Sequence, residues 1–295
     1  MKKEFICNAQ YRREFLEKFN QTHPECDTGI IGRSILGKDI DYYKIGSGKR
    51  NIIAVGAHHG MEHITAAALY EFVDFLTEKS ERGLSYCGIN LEFLLRKFAF
   101  WIIPCVNPDG VEMEISGIEK TPLYLRQLRM NGQSLDFSDW QANARGVDLN
   151  HNYDAGFFEY KRLEEAEGIT AGKTRFSGEY PESEPETHAL ASFIRTLMPE
   201  AVVSLHTQGE EIFSKPDTEY VERIAGRLVR SLGYKPSVAE GLSAFGGLCD
   251  YTGSVLNIPS FTVELGRGKN PLPYSSLGVI SDTVRNLLIF LPTYL

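Results

Sequence analysis

His59-Gly60-Met61-Glu62 sets an imidazole and a carboxylate two residues apart, a spacing that lets both turn toward one point. Both groups are good zinc ligands, and one distant histidine would complete a His₂Glu set that leaves a coordination position for water. His206 is the candidate for that third place. The pair alone is a weak signal, because the same spacing arises by chance on charged helix starts. His58 and His63 flank it, and either could be drawn in place of His59. Taken singly, His206 reads more readily as a hydrogen-bonded structural histidine. Glu264 lies among Phe261, Val263 and Leu265. A carboxylate buried there costs several kcal/mol unless it is paired or functional, and a salt bridge to an arginine is the plain alternative.

The elements that must position these groups can be read from pattern. Short apolar runs bounded by glycine or polar residues predict buried strands at 51–57, 98–106, 201–205 and 260–265. A further strand is expected at 40–45, before a break at 46–50. Asn107-Pro108-Asp109-Gly110 reads as a turn that stops the second of the buried strands. Apolar residues at helical spacing predict helices over 9–22, 64–79, 185–197, 217–232 and 279–290. Residues 111–180 are rich in Gly, Asp, Asn, Glu and Arg and show little periodicity, so a long functional loop region is expected there. Strands alternating with helices over the whole length predict one α/β domain. Residues 1–30 are read as a helical segment packed on a catalytic domain spanning 31–295. His59 and Glu62 follow one strand, His206 ends another and Glu264 ends a third. Ligands of open α/β sheets sit outside such carboxyl ends.

Composition narrows the partners. With 31 basic and 39 acidic residues the formal net charge is −8, which argues against nucleic acid or an anionic membrane surface. No apolar stretch approaches the length of a membrane span. The five cysteines show no CxxC spacing and fit free thiols in a reducing compartment. The opening MKKEFICNAQYRREF lacks the apolar run of a signal peptide, and a cytoplasmic location is expected.

GAHHGMEH (56–63), NPDG (107–110), ARGVDLNHNY (144–153), FSGEYPESEPE (176–186), SLHTQGEE (204–211) and FTVELGRGKNPLP (261–273) follow one another along the chain. In these ordered blocks the chain resembles the zinc carboxypeptidase-fold metallopeptidases. The resemblance implies a mixed, mostly parallel twisted sheet flanked by helices on both faces. It implies one zinc ion held by His59, Glu62 and His206, with Glu264 as general base and later acid. Arg145 would face the scissile carbonyl oxygen, and Asn150 and His151 would sit in the substrate-carboxylate pocket. HTQGEE and ELGRGKNPLP are similar to the bacterial γ-D-glutamyl-diamino-acid endopeptidases, which cut the amide between γ-D-glutamate and diaminopimelate. A peptide or muropeptide substrate is therefore expected.

Two features depart from the family pattern. His151 stands where many members carry arginine, and histidine is a weaker, pH-dependent anchor for a carboxylate. The leaving group is therefore expected to be a diamino acid rather than an ordinary C-terminal residue. The pocket-capping tyrosine of pancreatic-type members has no counterpart near Leu242. Arg267, with Arg126 or Arg129, is a candidate partner for substrate carboxylates. Other readings are a carboxypeptidase for ordinary peptides, a small-molecule deacylase using the same machinery, and an inactive binding module that keeps the fold.

Overall fold

A computed structural model describes residues 7–295 of the chain; residues 1–6 of the expected N-terminal segment lie outside the described residues. Its strands are β1 (Asp27–Arg33), β2 (Asp39–Ile45), β3 (Arg50–Val55), a small hairpin β4 (Ser85–Tyr86) and β5 (Ile89–Asn90), β6 (Phe98–Ile103), β7 (Ala201–His206), β8 (Glu211–Lys215), β9 (Lys235–Pro236) and β10 (Ser260–Glu264). Eight of them form one sheet in the order β1-β2-β6-β3-β7-β10-β8-β9. The central four, β6-β3-β7-β10, pair in parallel. Antiparallel pairs join β1 to β2, β2 to β6 and β8 to β10.

The central strands are apolar on both faces because both faces are covered. Successive side chains of a strand point to opposite sides. Ile52 and Ala54 of β3 enter one core with Leu69, Phe72, Val284 and Leu287, from helices Ile64–Glu81 and Leu277–Tyr294. Ile53 and Val55 enter a second core with Leu149, Tyr153, Leu190 and Ile194, the last two from helix Pro185–Leu197. Burying each such aliphatic side chain contributes roughly 1.5–3 kcal/mol. The expected α/β sandwich of one mixed sheet between helices is what the chain forms.

Helix Ala9–Thr22 begins at Asn8, whose Oδ1 accepts from the Tyr11 amide at 2.9 Å. It lays Phe15 and Phe19 against Tyr43, with Phe15 also touching Tyr70 at 4.6 Å between ring centroids. Its buried Arg12 donates to Cys105 Sγ at 3.2 Å. A division after residue 30 would cut β1, which is hydrogen-bonded to β2 from Asp27 to Arg33.

Several local expectations are corrected. Asn107–Gly110 opens helix Pro108–Ser116 instead of making a simple turn. Asn107 Oδ1 caps it by accepting from the Gly110 amide at 2.9 Å, and Pro108 takes the first helical position, where its missing N–H costs nothing. Residues 111–180 are not one long loop: helices Tyr124–Met130 and Phe157–Ala166 lie within them. These helices hold only 7 and 10 residues, too short for a sustained period. A third apolar cluster of Met113, Ile118, Phe137, Trp140, Ala142 and Ala144 anchors the region. β1 and β8 carry no clear strand pattern, because DTGIIGR holds two glycines and EIFSK alternates only briefly.

Candidate active site

Three adjacent parallel strands, β3, β7 and β10, deliver the site from their carboxyl ends. After β3 the chain runs through His59 into the short helical turn Gly60–Glu62. Two backbone segments pack too closely there for a side chain. A Cβ on Gly60 would lie 2.5 Å from the Gly110 carbonyl oxygen and 2.8 Å from that of Trp140. Asn107 Nδ2 donates to the carbonyls of His58, Gln141 and Ala142 at 2.9–3.1 Å, tying the ligand-bearing turn to the 141–142 segment.

The structure brings His59, Glu62 and His206 together, with ligand atoms within 4.8 Å of one another. Glu62 Oε1 lies 3.1 Å from His59 Nδ1, and Oε2 lies 3.1 Å from His206 Nδ1. Such separations are close to the edge of a tetrahedron with bonds of ~2.0–2.2 Å. His59 Nδ1 is buried and without a hydrogen-bond partner, although Glu62 Oε1 lies 3.1 Å away. A metal ion at the shared point would satisfy it. His58 is not the ligand: its Nε2 bonds the Tyr153 hydroxyl at 3.0 Å. His63 turns to Glu114 and Tyr274 at 3.0 and 2.8 Å.

The outer nitrogens of both imidazoles are held. His59 Nε2 lies 3.1 Å from Asp148 Oδ1, and His206 Nε2 lies 3.0 Å from Ser204 Oγ. The Asp148 carboxylate can only accept, so it fixes the His59 tautomer, while Ser204 orients the His206 ring; both leave the inner nitrogen facing the candidate metal site. Asp148 in turn accepts from the Arg175 amide at 3.0 Å and the Asn150 amide at 3.2 Å. Neither Asp148 nor Ser204 was nominated from sequence. The signal for Asp148 is the carboxylate inside GVDLN, a residue type that supports metal-bound histidine.

Burial disfavours charge on His59, but Glu62 and Asp148 more than reverse this and hold its pKa well above the usual imidazole value. Burial likewise works against Glu62 ionising, yet His59 and His206 bring it down to about 2. Asp148 is also held well below the ordinary range: burial opposes its charge and His59 outweighs it. Glu264 behaves in the opposite way. Burial first, then the Glu62 carboxylate, push it up to about 8. No cation pairs with Glu264 among the described residues, so the plain salt-bridge alternative fails.

The remaining nominated residues are placed as follows. Arg145 gives Nε and Nη2 to the buried Glu184 carboxylate at 2.9 and 3.0 Å, and Nη2 also to the Ser183 carbonyl. Arg267 is mostly exposed and pairs with Glu210 at 2.5 Å. Asn150 and His151 sit in the helical turn Leu149–His151, directly after Asp148.

The chain matches the zinc carboxypeptidase family over residues 13–283. It belongs to that family. The zinc carboxypeptidases are hydrolases that use a catalytic zinc ion, and His59, Glu62 and His206 form the candidate site for it here. Within the family, the chain is 31% identical to γ-D-glutamyl-L-diamino acid endopeptidase 1 of Lysinibacillus sphaericus, over 90% of this chain and 67% of the relative. It is 27% identical to murein peptide amidase A of Escherichia coli, over 82% of this chain and 86% of the relative. Among solved structures, bovine thrombin-activatable fibrinolysis inhibitor matches with a TM-score of 0.74 at 21% identity, over 98% of this chain and 97% of that one. The murein-tripeptide amidase of Escherichia coli matches with a TM-score of 0.53 at 22% identity, over 88% and 91%. These structures share the zinc carboxypeptidase fold. Among the described residues, no helix is long and apolar enough to cross a membrane.

Proposed function

We propose that this zinc carboxypeptidase-family enzyme hydrolyses an amide bond in cell-wall-derived peptides, with γ-D-glutamyl-diaminopimelate as the substrate. The observation that carries the reading is the unpaired Glu264 beside the His59–Glu62–His206 set, combined with the similarity to a diamino-acid endopeptidase and a murein peptide amidase. Five free cysteines support a reducing, cytoplasmic compartment, where soluble recycled fragments would be the substrate.

In this reading zinc supplies Lewis-acid polarisation of a water and of the scissile carbonyl. Glu264 takes the proton of the attacking water and later returns it to the leaving amine. Burial raises the Glu264 pKa above the ordinary carboxyl value, which makes its ionised form a stronger base for the first transfer. Asp148 and Ser204 keep the two imidazoles aimed inward throughout. Arg145 is the proposed stabiliser of the developing oxyanion; its Nε and Nη2 are committed to Glu184, which leaves Nη1 for that task.

Mass spectrometry of muropeptide fragments incubated with the wild type and with Glu264→Gln tests the proposal. Cleavage of the γ-D-glutamyl-diaminopimelate bond by the wild type alone is the expected result. Cleavage elsewhere, or equal cleavage by the variant, would overturn the assigned bond or the assigned base.

A further inference from the structure

The turn Leu149–His151 presents two neighbouring side chains whose orientations are dictated by backbone groups. Asn150 Oδ1 lies 3.1 Å from the Leu248 amide nitrogen. A backbone N–H can only donate, so the Asn150 oxygen faces inward and its Nδ2 faces out. His151 Nδ1 lies 2.9 Å from the Phe245 carbonyl oxygen. A carbonyl can only accept, so Nδ1 carries the proton. The ring is clamped against Tyr160, with centroids 4.3 Å apart and planes 22° from parallel.

In a neutral imidazole with Nδ1 protonated, Nε2 is a bare acceptor. Burial pushes the His151 pKa below its ordinary value, although Asp148 and the Phe245 carbonyl favour the proton, so the neutral form holds at pH 7. The Asn150 amide donates to the same Asp148 oxygen that holds His59 Nε2, which ties the turn to the candidate metal site. Neither His151 Nε2 nor Asn150 Nδ2 has a partner among the described residues, and neither is sealed from solvent.

The turn therefore offers one donor and one acceptor on consecutive residues. A carboxylate brings acceptors only, and its charge meets the Nε2 lone pair. A carboxamide brings a carbonyl oxygen for Asn150 Nδ2 and an N–H for His151 Nε2. Two of the arginines that could otherwise hold a carboxylate are ion-paired, Arg145 with Glu184 and Arg267 with Glu210, while Arg126 and Arg129 donate only to the backbone carbonyls of Arg145 and Leu125. We infer that Asn150 and His151 recognise a neutral carboxamide on the substrate, either the next peptide bond of a continuing chain or an amidated carboxyl, and discriminate against a free carboxylate. The inference rests on the amide-hydrolase reading above and narrows it to an endo-acting or amide-terminated substrate.

Three peptides test it: L-Ala-γ-D-Glu-diaminopimelate with the α-carboxyl of its last residue free, converted to a carboxamide, or extended by alanine. The zinc-loaded wild type should give a kcat/KM at least about tenfold higher for either amide form than for the acid. Preference for both amides points to the shared group; preference for the extended peptide alone assigns the continuing chain. His151→Arg should reverse the preference, while His151→Gln, which keeps a neutral acceptor, should retain it. Equal or better use of the acid by the wild type overturns the inference. Calorimetric binding of the same peptides to Glu264→Gln separates the two levels. Loss of turnover on all three with the amide preference intact in binding counts against the hydrolysed bond alone, whereas equal or tighter binding of the acid counts against the carboxamide subsite.

Discussion

Glu264 stands in register with His206 across the parallel pair of β10 and β7. In-register residues of paired strands point to the same face, so the candidate base and a candidate metal ligand emerge together from the sheet's carboxyl edge. Glu211 occupies the corresponding place on the other side of Glu264, across the antiparallel pair with β8. The sheet thus sets the placement of the candidate base relative to His206, while His59 and Glu62 join them from the turn after β3.

Glu264→Gln keeps the shape of the side chain and removes the proton acceptor. Hydrolysis should fall by about 10²–10⁴-fold, the range for loss of a general base. Zinc content by atomic emission should stay at one ion per chain, because Glu264 is not among the converging ligand atoms. Loss of the metal in this variant would contradict the separation of roles.

Asp148→Asn should weaken metal affinity by about 10–100-fold, as for other carboxylates behind a ligating histidine. The replaced oxygen no longer holds His59 Nε2 in the required tautomer. Competition with a chromogenic chelator measures the effect. Unchanged affinity would reduce Asp148 to a packing role.

Arg145→Met leaves the Glu184 carboxylate buried with only Asn143 Nδ2 and Ser183 Oγ as donors. Breaking a buried ion pair costs up to about 3–5 kcal/mol, and the partial exposure of Arg145 places this one toward about 2–3 kcal/mol. Urea denaturation of the variant reads it directly. Full stability with lost activity would instead assign Arg145 to the reaction alone.

Glu186 should make stability depend on pH. Burial first, with Asp109 and Glu184 adding repulsion, pushes its pKa from 4.5 to about 8 in the folded chain. A carboxyl whose folded pKa is raised favours folding while protonated. Its contribution is full below the unfolded value near 4.5 and is lost as pH rises toward about 8. Denaturation midpoints of the wild type and Glu186→Gln should therefore diverge with rising pH, with the variant gaining relative stability. Parallel curves between pH 4.5 and 8 would exclude the raised value.

Much of this protein is determined by the sequence alone. Apolar runs long enough to need cover on both faces specify β3, β6, β7 and β10, and the polar residues that follow them mark the site edge. His59, Glu62 and His206 were nominated from residue type, order and surrounding blocks, and the fold brings them together. Tertiary structure decided what each polar atom faces. It excluded His58 and His63 by giving them Tyr153, Glu114 and Tyr274, and it set Asp148 and Ser204 behind the candidate ligands. It committed Arg145 to Glu184, 39 residues further on, and fixed the His151 tautomer through a carbonyl 94 residues away. Strand pattern is local and repeats every two residues, so it survives in one dimension. Hydrogen-bond partners separated by dozens of residues leave no such period, and only the packed chain assigns them.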